Sequence, residues 1–162
     1  MKEYYDVIIV GTGAAGLYCA LNLPERKNIL MITKKEADQS DSFLAQGGIC
    51  MLRGEDDYED YFEDTMRAGH YENNKKAVDL MLRSSNSIIR DLLMREVDFE
   101  RNEKGDLEFT REGAHSQPRI LFHEDITGKE ITSKLLAQAQ ARENIEIVEY
   151  MTMVDLISAD NI

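Results

Sequence analysis

The chain has 162 residues, with 19 Lys and Arg against 31 Asp and Glu and a formal net charge of -12. That balance excludes nucleic acid and anionic membranes as general partners. The two cysteines, Cys19 and Cys50, are isolated and lack ligand spacing, no apolar run approaches the roughly 20 residues that cross a bilayer, and no targeting segment precedes the first strand; the expectation is a cytoplasmic protein with reduced thiols.

Val7, Ile8, Ile9 and Val10 form an unbroken β-branched run, suited to a parallel-sheet strand covered on both faces. Gly11-Thr12-Gly13-Ala14-Ala15-Gly16 follows directly. Gly11 suits a tight turn, Gly13 leaves room for a pyrophosphate, and Gly16 permits close packing of helix on strand. Ala14, Ala15, Leu17, Ala20 and Leu21 continue as a helix whose N-terminal amides and positive dipole end make an anion site from backbone. The six-residue fingerprint by itself also fits a glycine turn in an unrelated domain; a strand before it and a helix after it supply the context of a nucleotide site.

Pro24 helps to end that helix, and Asn28 to Thr33 reads as a second strand, completing a βαβ unit. A dinucleotide fold places a ribose-binding acid at the end of this strand. Thr33, Lys34 and Lys35 stand there instead, with Glu36 beyond, which argues against an ordinary NAD site.

In the following stretch, Phe43, Leu44, Ala45 and Ile49 surround Gly47 and Gly48. The composition suits backbone lying against something flat, and equally a buried loop turning beneath its own helices. Asp56 to Met66 has helical spacing with acids at its start, and Ala77 to Arg95 carries one apolar stripe through Val78, Met81, Leu82, Ser85, Ile88, Ile89, Leu92 and Leu93. His70 reads as structural or surface. Asn102 to Gly105 suits a turn between the short runs 97–99 and 107–109.

Thr110 to Arg119 then gathers Arg111, Glu112, His115 and Arg119 within ten residues. Arginine suits bidentate capture of a carboxylate and Glu112 suits an ammonium, although an exposed polar hairpin tip fits the same residues. No second ligand stands at a useful spacing from His115 for a metal. Ile120 to Phe122 reads as a short strand, Gly128 to Arg142 as a helix capped by Asp125 or Thr127, and Ile145 to Val148 as a third sheet strand. Tyr150 to Ile157 alternates loosely and reads as a strand opening a smaller antiparallel sheet.

At Ala45-Gln46-Gly47-Gly48 and Thr110-Arg-Glu-Gly-Ala-His-Ser116 the sequence resembles the L-aspartate oxidase family, within the wider succinate dehydrogenase and fumarate reductase flavoproteins. The resemblance runs through essentially the whole chain, taking in Gly11, Gly13, Gly16, the Asp64-Thr65 region, Arg119 and Asp125-x-Thr127-Gly128. It implies an α/β, Rossmann-like FAD/NAD(P)-binding domain, with a parallel sheet, inserted helices and a small antiparallel β region. The implied cofactor is FAD, its pyrophosphate at Gly11, Gly13, Ala14, Ala15 and Gly16. Thr33 is a further candidate contact, Lys34 or Lys35 lies near the adenosine side, and Ser42 with Ala45, Gln46, Gly47 and Gly48 lies by the flavin ring. Relatives that attach FAD covalently carry a histidine at the position matching Asp41, so dissociable, non-covalent FAD is implied here.

By the same resemblance, Glu112 matches a glutamate that recognises the substrate amino group, with His115 and Arg119 near the site. The implied reaction is hydride transfer from C2 of L-aspartate to FAD, giving iminoaspartate, with oxygen or fumarate reoxidising the flavin. This is the first step of the aspartate route to NAD, with quinolinate synthase next. The family continues with a capping domain, the remainder of the FAD domain and a C-terminal helical domain. Residues 1–162 are therefore expected to be the N-terminal portion of the FAD-binding domain, without a closed substrate pocket or full FAD affinity. The alternatives are a fumarate reductase or succinate dehydrogenase-like flavoprotein, a non-catalytic FAD-binding module, and, less well suited to the two loops, a purely structural interaction protein.

Overall fold

A computed structural model describes residues 3–157. The elements in chain order are β1 (Val7–Val10), α1 (Ala14–Asn22), β2 (Ile29–Ile32), α2 (Asp41–Leu44), β3 (Ile49–Cys50), a 3-10 turn (Glu55–Asp57), α3 (Tyr58–Ala68), α4 (Lys75–Met94), β4 (Ile120–Leu121), α5 (Thr127–Ala141) and β5 (Ile145–Val148). The architecture is α/β, with a parallel sheet and a small antiparallel pair, as expected. The chain divides into two compact units, the first made of residues up to Leu44 and from Thr132 onward, the second of Ala45–Ile131.

The first unit holds a three-stranded parallel sheet in the order β1-β2-β5. Val7 pairs with Ile29 and Ile29 with Ile145, and the register continues residue by residue to Val10, Ile32 and Val148. Central β2 is buried throughout, as its unbroken apolar sequence requires. β1 differs from the expectation of two covered faces: Ile8 is 59% and Val10 53% exposed. It is the edge strand, and α1 packs on it with Leu17 and Ala20 buried.

The second unit is built on α3 and α4. Leu52, Tyr61, Met66, Val78 and Leu82 form its core, with Cys50, Tyr58 and Phe62 packed against them. Of the expected stripe, Val78, Leu82, Ser85, Ile89 and Leu92 are the buried face of α4, spaced as successive turns of one helix face require, whereas Ile88 and Leu93 are half-buried and Met81 is exposed. Asn74 caps α4 by accepting hydrogen bonds from the Lys76 and Ala77 amides at 3.0 and 3.2 Å.

Between α4 and β4 the hairpin turn at Asn102–Gly105 forms, with Gly105 at a φ of +84° and an Arg101–Leu107 bridge. The flanking runs 97–99 and 107–109 do not extend into strands. Nor does 150–157 form the strand its alternation suggested: it has no strand partner among the described residues, and only its start is fixed, by the Met151 amide donating to the Thr33 carbonyl at 2.9 Å.

Candidate functional site

In the first unit, the Gly11 amide donates to the Ile32 carbonyl at 2.8 Å, so the chain leaves β1 still paired with β2 and then turns at a φ of +106°. An added Cβ on Gly16 would stand 2.4 Å from the Gly11 carbonyl oxygen and 3.3 Å from Ile9 Cγ2. This is the close helix-to-turn packing that only glycine allows. α1 starts immediately after Gly13, which caps it without a side chain. The start of the helix therefore presents backbone amides.

The glycine turn opens on a cleft of about 480 Å³ lined by Gly11, Thr12, Gly13, Thr33, Lys34 and Ser42 among others. Ser42 stands against the helix start, its Oγ accepting the Ala14 amide at 3.2 Å. Thr12 is 2% exposed and its Oγ1 has no partner among the described residues. A buried hydroxyl left without a partner is uncommon and costly, and this one lies in the lining of a cleft rimmed by amides. Lys34 lines the cleft, whereas Lys35 is exposed and not part of its wall. Ala14, Ala15 and Gly16 lie in the first turns of α1. Thr12, Ser40 and Met151–Met153 are lining residues that the sequence reading did not single out; for Thr12 its place between two glycines was the only signal.

In the second unit, Ala45, Gln46, Gly47 and Gly48 form an exposed strip anchored at both ends. The Ala45 carbonyl accepts the Gly128 amide at 2.9 Å, and Gly48, at a φ of +82°, lies so close to β4 that an added Cβ would stand 2.5 Å from both Ile120 Cγ2 and the Leu121 carbonyl oxygen. The Asp125-x-Thr127-Gly128 segment thus fixes the strip from behind. Among the described hydrogen bonds the Gln46 and Gly47 amides have no acceptor.

The loop rich in charged groups is an excursion closed at its base by the Thr110–Ile120 bridge. The structure brings its carboxylate to the strip: Glu112 Oε2 is 4.0 Å from where a Gly47 Cβ would be. Glu112 is exposed, and its carboxylate has no cation or hydrogen-bond partner among the described residues.

His115 and Arg119 both engage the protein's own groups. His115 Nε2 is 3.4 Å from Cys50 Sγ, its ring meets Tyr61 edge-on at 5.9 Å between centroids, and its Nδ1 is buried without a partner. These three side chains line an apolar cavity of about 490 Å³. Burial pushes the Cys50 thiol up, and it pushes the Tyr61 phenol well above its usual range.

Arg119 is 0% exposed. Its guanidinium donates to both Asp57 oxygens at 2.6 to 2.9 Å, to Asp64 at 2.7 Å and to Ser116 Oγ at 3.2 Å, and it lies 5.0 Å from the Tyr61 ring centroid. Its bidentate carboxylate is therefore the protein's own, and it has no exposed donor to offer a ligand. Burial alone would raise the Asp64 carboxyl, but hydrogen bonds from the Ser116 hydroxyl and amide and from Arg119 outweigh it and hold Asp64 well below the usual carboxylate range.

Comparison with known proteins matches residues 6–161 to the FAD binding domain family. An L-aspartate oxidase of Clostridium perfringens is 45% identical over 161 residues, covering 99% of this chain and 36% of that protein. Those of Clostridium acetobutylicum and Pseudomonas aeruginosa are 43% and 40% identical, with 37% and 31% of their lengths covered. The chain thus spans about a third of the length of these relatives. Among solved structures, an E. coli quinol fumarate reductase superposes with a TM-score of 0.85 at 24% identity, over 90% of this chain and 26% of that one, a likeness of fold.

Proposed function

Because this chain belongs to the FAD-binding domain family, we propose that it is the N-terminal, cofactor-holding portion of an L-aspartate oxidase, residues 1–162 of a longer polypeptide whose capping domain, remaining FAD-domain strands and C-terminal helical domain lie beyond it. The residues present fit the cofactor. The glycine turn, Thr12 and Lys34 line one cleft at the start of α1, where helix amides and a Lys34 ammonium suit a diphosphate. We assign the diphosphate to Gly11, Thr12, Gly13 and Ala14, with Ala15 and Gly16 shaping the helix start and Thr33 and Lys34 toward the adenosine side. Asp41 is a carboxylate at the start of α2, so the flavin is held without a histidyl bond. When bound, FAD supplies an acceptor for the hydride that leaves C2 of L-aspartate, giving iminoaspartate, and oxygen or fumarate then takes the electrons.

The single observation that carries the substrate assignment is the unpaired Glu112 carboxylate beside Gly47. A lone carboxylate repels a plain dicarboxylate and has a partner in one that bears an ammonium. Glu112 holds that ammonium, and the unsatisfied Gln46 and Gly47 amides offer rigid donors to charge that develops on the ring. Arg119 is committed internally and His115 is turned to Cys50, and the family resemblance assigns the cations for the two substrate carboxylates to the capping domain. Iminoaspartate then passes to quinolinate synthase on the route to NAD. None of the described helices is long and apolar enough to cross a membrane, in keeping with an enzyme of the cytoplasm.

The test is anaerobic mixing of the full-length flavoprotein with L-aspartate or succinate. Aspartate is expected to bleach the flavin and succinate to leave it oxidised. Bleaching by succinate in preference to aspartate would replace this reading with a succinate dehydrogenase-like one.

A further inference from the structure

The turn that carries Glu112 has little of its own to hold it still. Residues 111–114 are all exposed, and Gly113 sits at a φ of +54°. Within the turn Arg111 reaches the Ser116 carbonyl at 3.4 Å, and the turn's ties to α3 converge on one carboxylate. Asp64, 3% exposed, takes the Ser116 amide and hydroxyl at 2.6 Å each and an Arg119 Nη at 2.7 Å on Oδ2, while Arg67 donates to Oδ1 at 2.6 Å. The same Arg67 nitrogen donates to the Ala114 carbonyl at 3.2 Å, and the His115 amide closes the turn on the Glu112 carbonyl at 3.3 Å. The backbone at residues 112, 114, 115 and 116 is therefore tied, and the Glu112 side chain is left to a ligand.

A buried ion cluster of this kind is a poor source of stability, since well-packed apolar side chains serve as well, but it is a good way to impose a geometry. Recognition by one exposed carboxylate needs such a geometry, because an error of roughly 1 Å in a contact group is enough to degrade a bound pose. Resting on the reading of Glu112 as the ammonium-holding group, we propose that Asp64 and Ser116 are positioning residues that set the preference for an amino dicarboxylate over its deaminated counterpart, by fixing the turn that presents Glu112.

The experiment compares Asp64→Asn, Ser116→Ala and Glu112→Gln in the full-length flavoprotein, with the KM for L-aspartate and the inhibition constant of succinate read side by side. Hydrogen exchange of the 113–117 amides is measured on the same proteins. Glu112→Gln is expected to raise the aspartate KM about tenfold, as loss of a charge-assisted hydrogen bond does, and to leave succinate binding unchanged or tighter. Asp64→Asn and Ser116→Ala should raise the aspartate KM severalfold with succinate inhibition and FAD content unchanged, should speed exchange at 113–117, and should add nothing in the Glu112→Gln background. Should Asp64→Asn fail to fold, Ser116→Ala carries the test, since it removes only the hydroxyl contacts. Parallel loss of aspartate and succinate binding, or effects that add fully to those of Glu112→Gln, would overturn the positioning role. A wild-type enzyme whose flavin aspartate does not reduce would overturn the aspartate reading itself, a result distinct from either.

Discussion

Gly48 and Gly105 both lie at positive φ, +82° and +84°, yet their surroundings differ: a Cβ on Gly48 meets Ile120 and Leu121 at 2.5 Å, and one on Gly105 meets nothing within 4 Å. Gly105→Ala is therefore expected to cost about 1 kcal/mol from backbone strain alone, and Gly48→Ala roughly 2 to 3 kcal/mol because the β3–β4 contact must also open. Urea denaturation midpoints of the two variants check the difference. The Asp64 carboxyl is depressed, so its contribution to stability is present above the unfolded carboxylate value of about 3.9 and is lost as pH falls toward and through the lower folded value. Stability measured against pH should then fall less steeply below about pH 4 in Asp64→Asn than in the parent; identical slopes would contradict the assignment. At this scale the sequence offered the residue types of the candidate site but not their commitments. Glu112 was legible as a carboxylate suited to an ammonium. Arg119 was not legible as an internal anchor, because its partners Asp57 and Asp64 lie 62 and 55 residues away, and no local pattern announces a buried ion cluster.

The elements found most readily from sequence are those whose signal is local. α4 repeats its apolar face over 20 residues and opens on a capping asparagine, and β2 is a buried run of four apolar residues. Asn74→Ala should cost about 1 kcal/mol, read as a lowered thermal midpoint, since it strands the Lys76 and Ala77 amides that the asparagine now accepts. What was missed is short or depends on distant partners. α2 has four residues and β3 two, and β3 becomes a strand only by pairing with β4 some seventy residues later. The run 150–157 shows the opposite error. Its alternation is a strand pattern, but it makes no ladder with any strand among the described residues, and alternation without a paired neighbour is not a strand.

For the molecule as a whole, the parallel sheet and its glycine turn were legible because the fingerprint, the strand before it and the helix after it are contiguous. The return to that sheet was legible too, in the run Ile145 to Val148, and it is this return that sets the inserted residues apart as a second unit. The exposed Ile8 and Val10 differ from the buried strand that their sequence suggests. With a net charge of -12, an anionic cofactor is held against the overall field, and the proposed site assigns that binding to the local amides and Lys34. Titration of the full-length polypeptide with FAD, followed by flavin fluorescence, beside a Gly13→Asp variant that places a carboxylate at the helix start, tests this most directly. The account predicts stoichiometric, dissociable uptake by the parent and its loss in the variant; no uptake by the parent, or equal uptake by both, would contradict it.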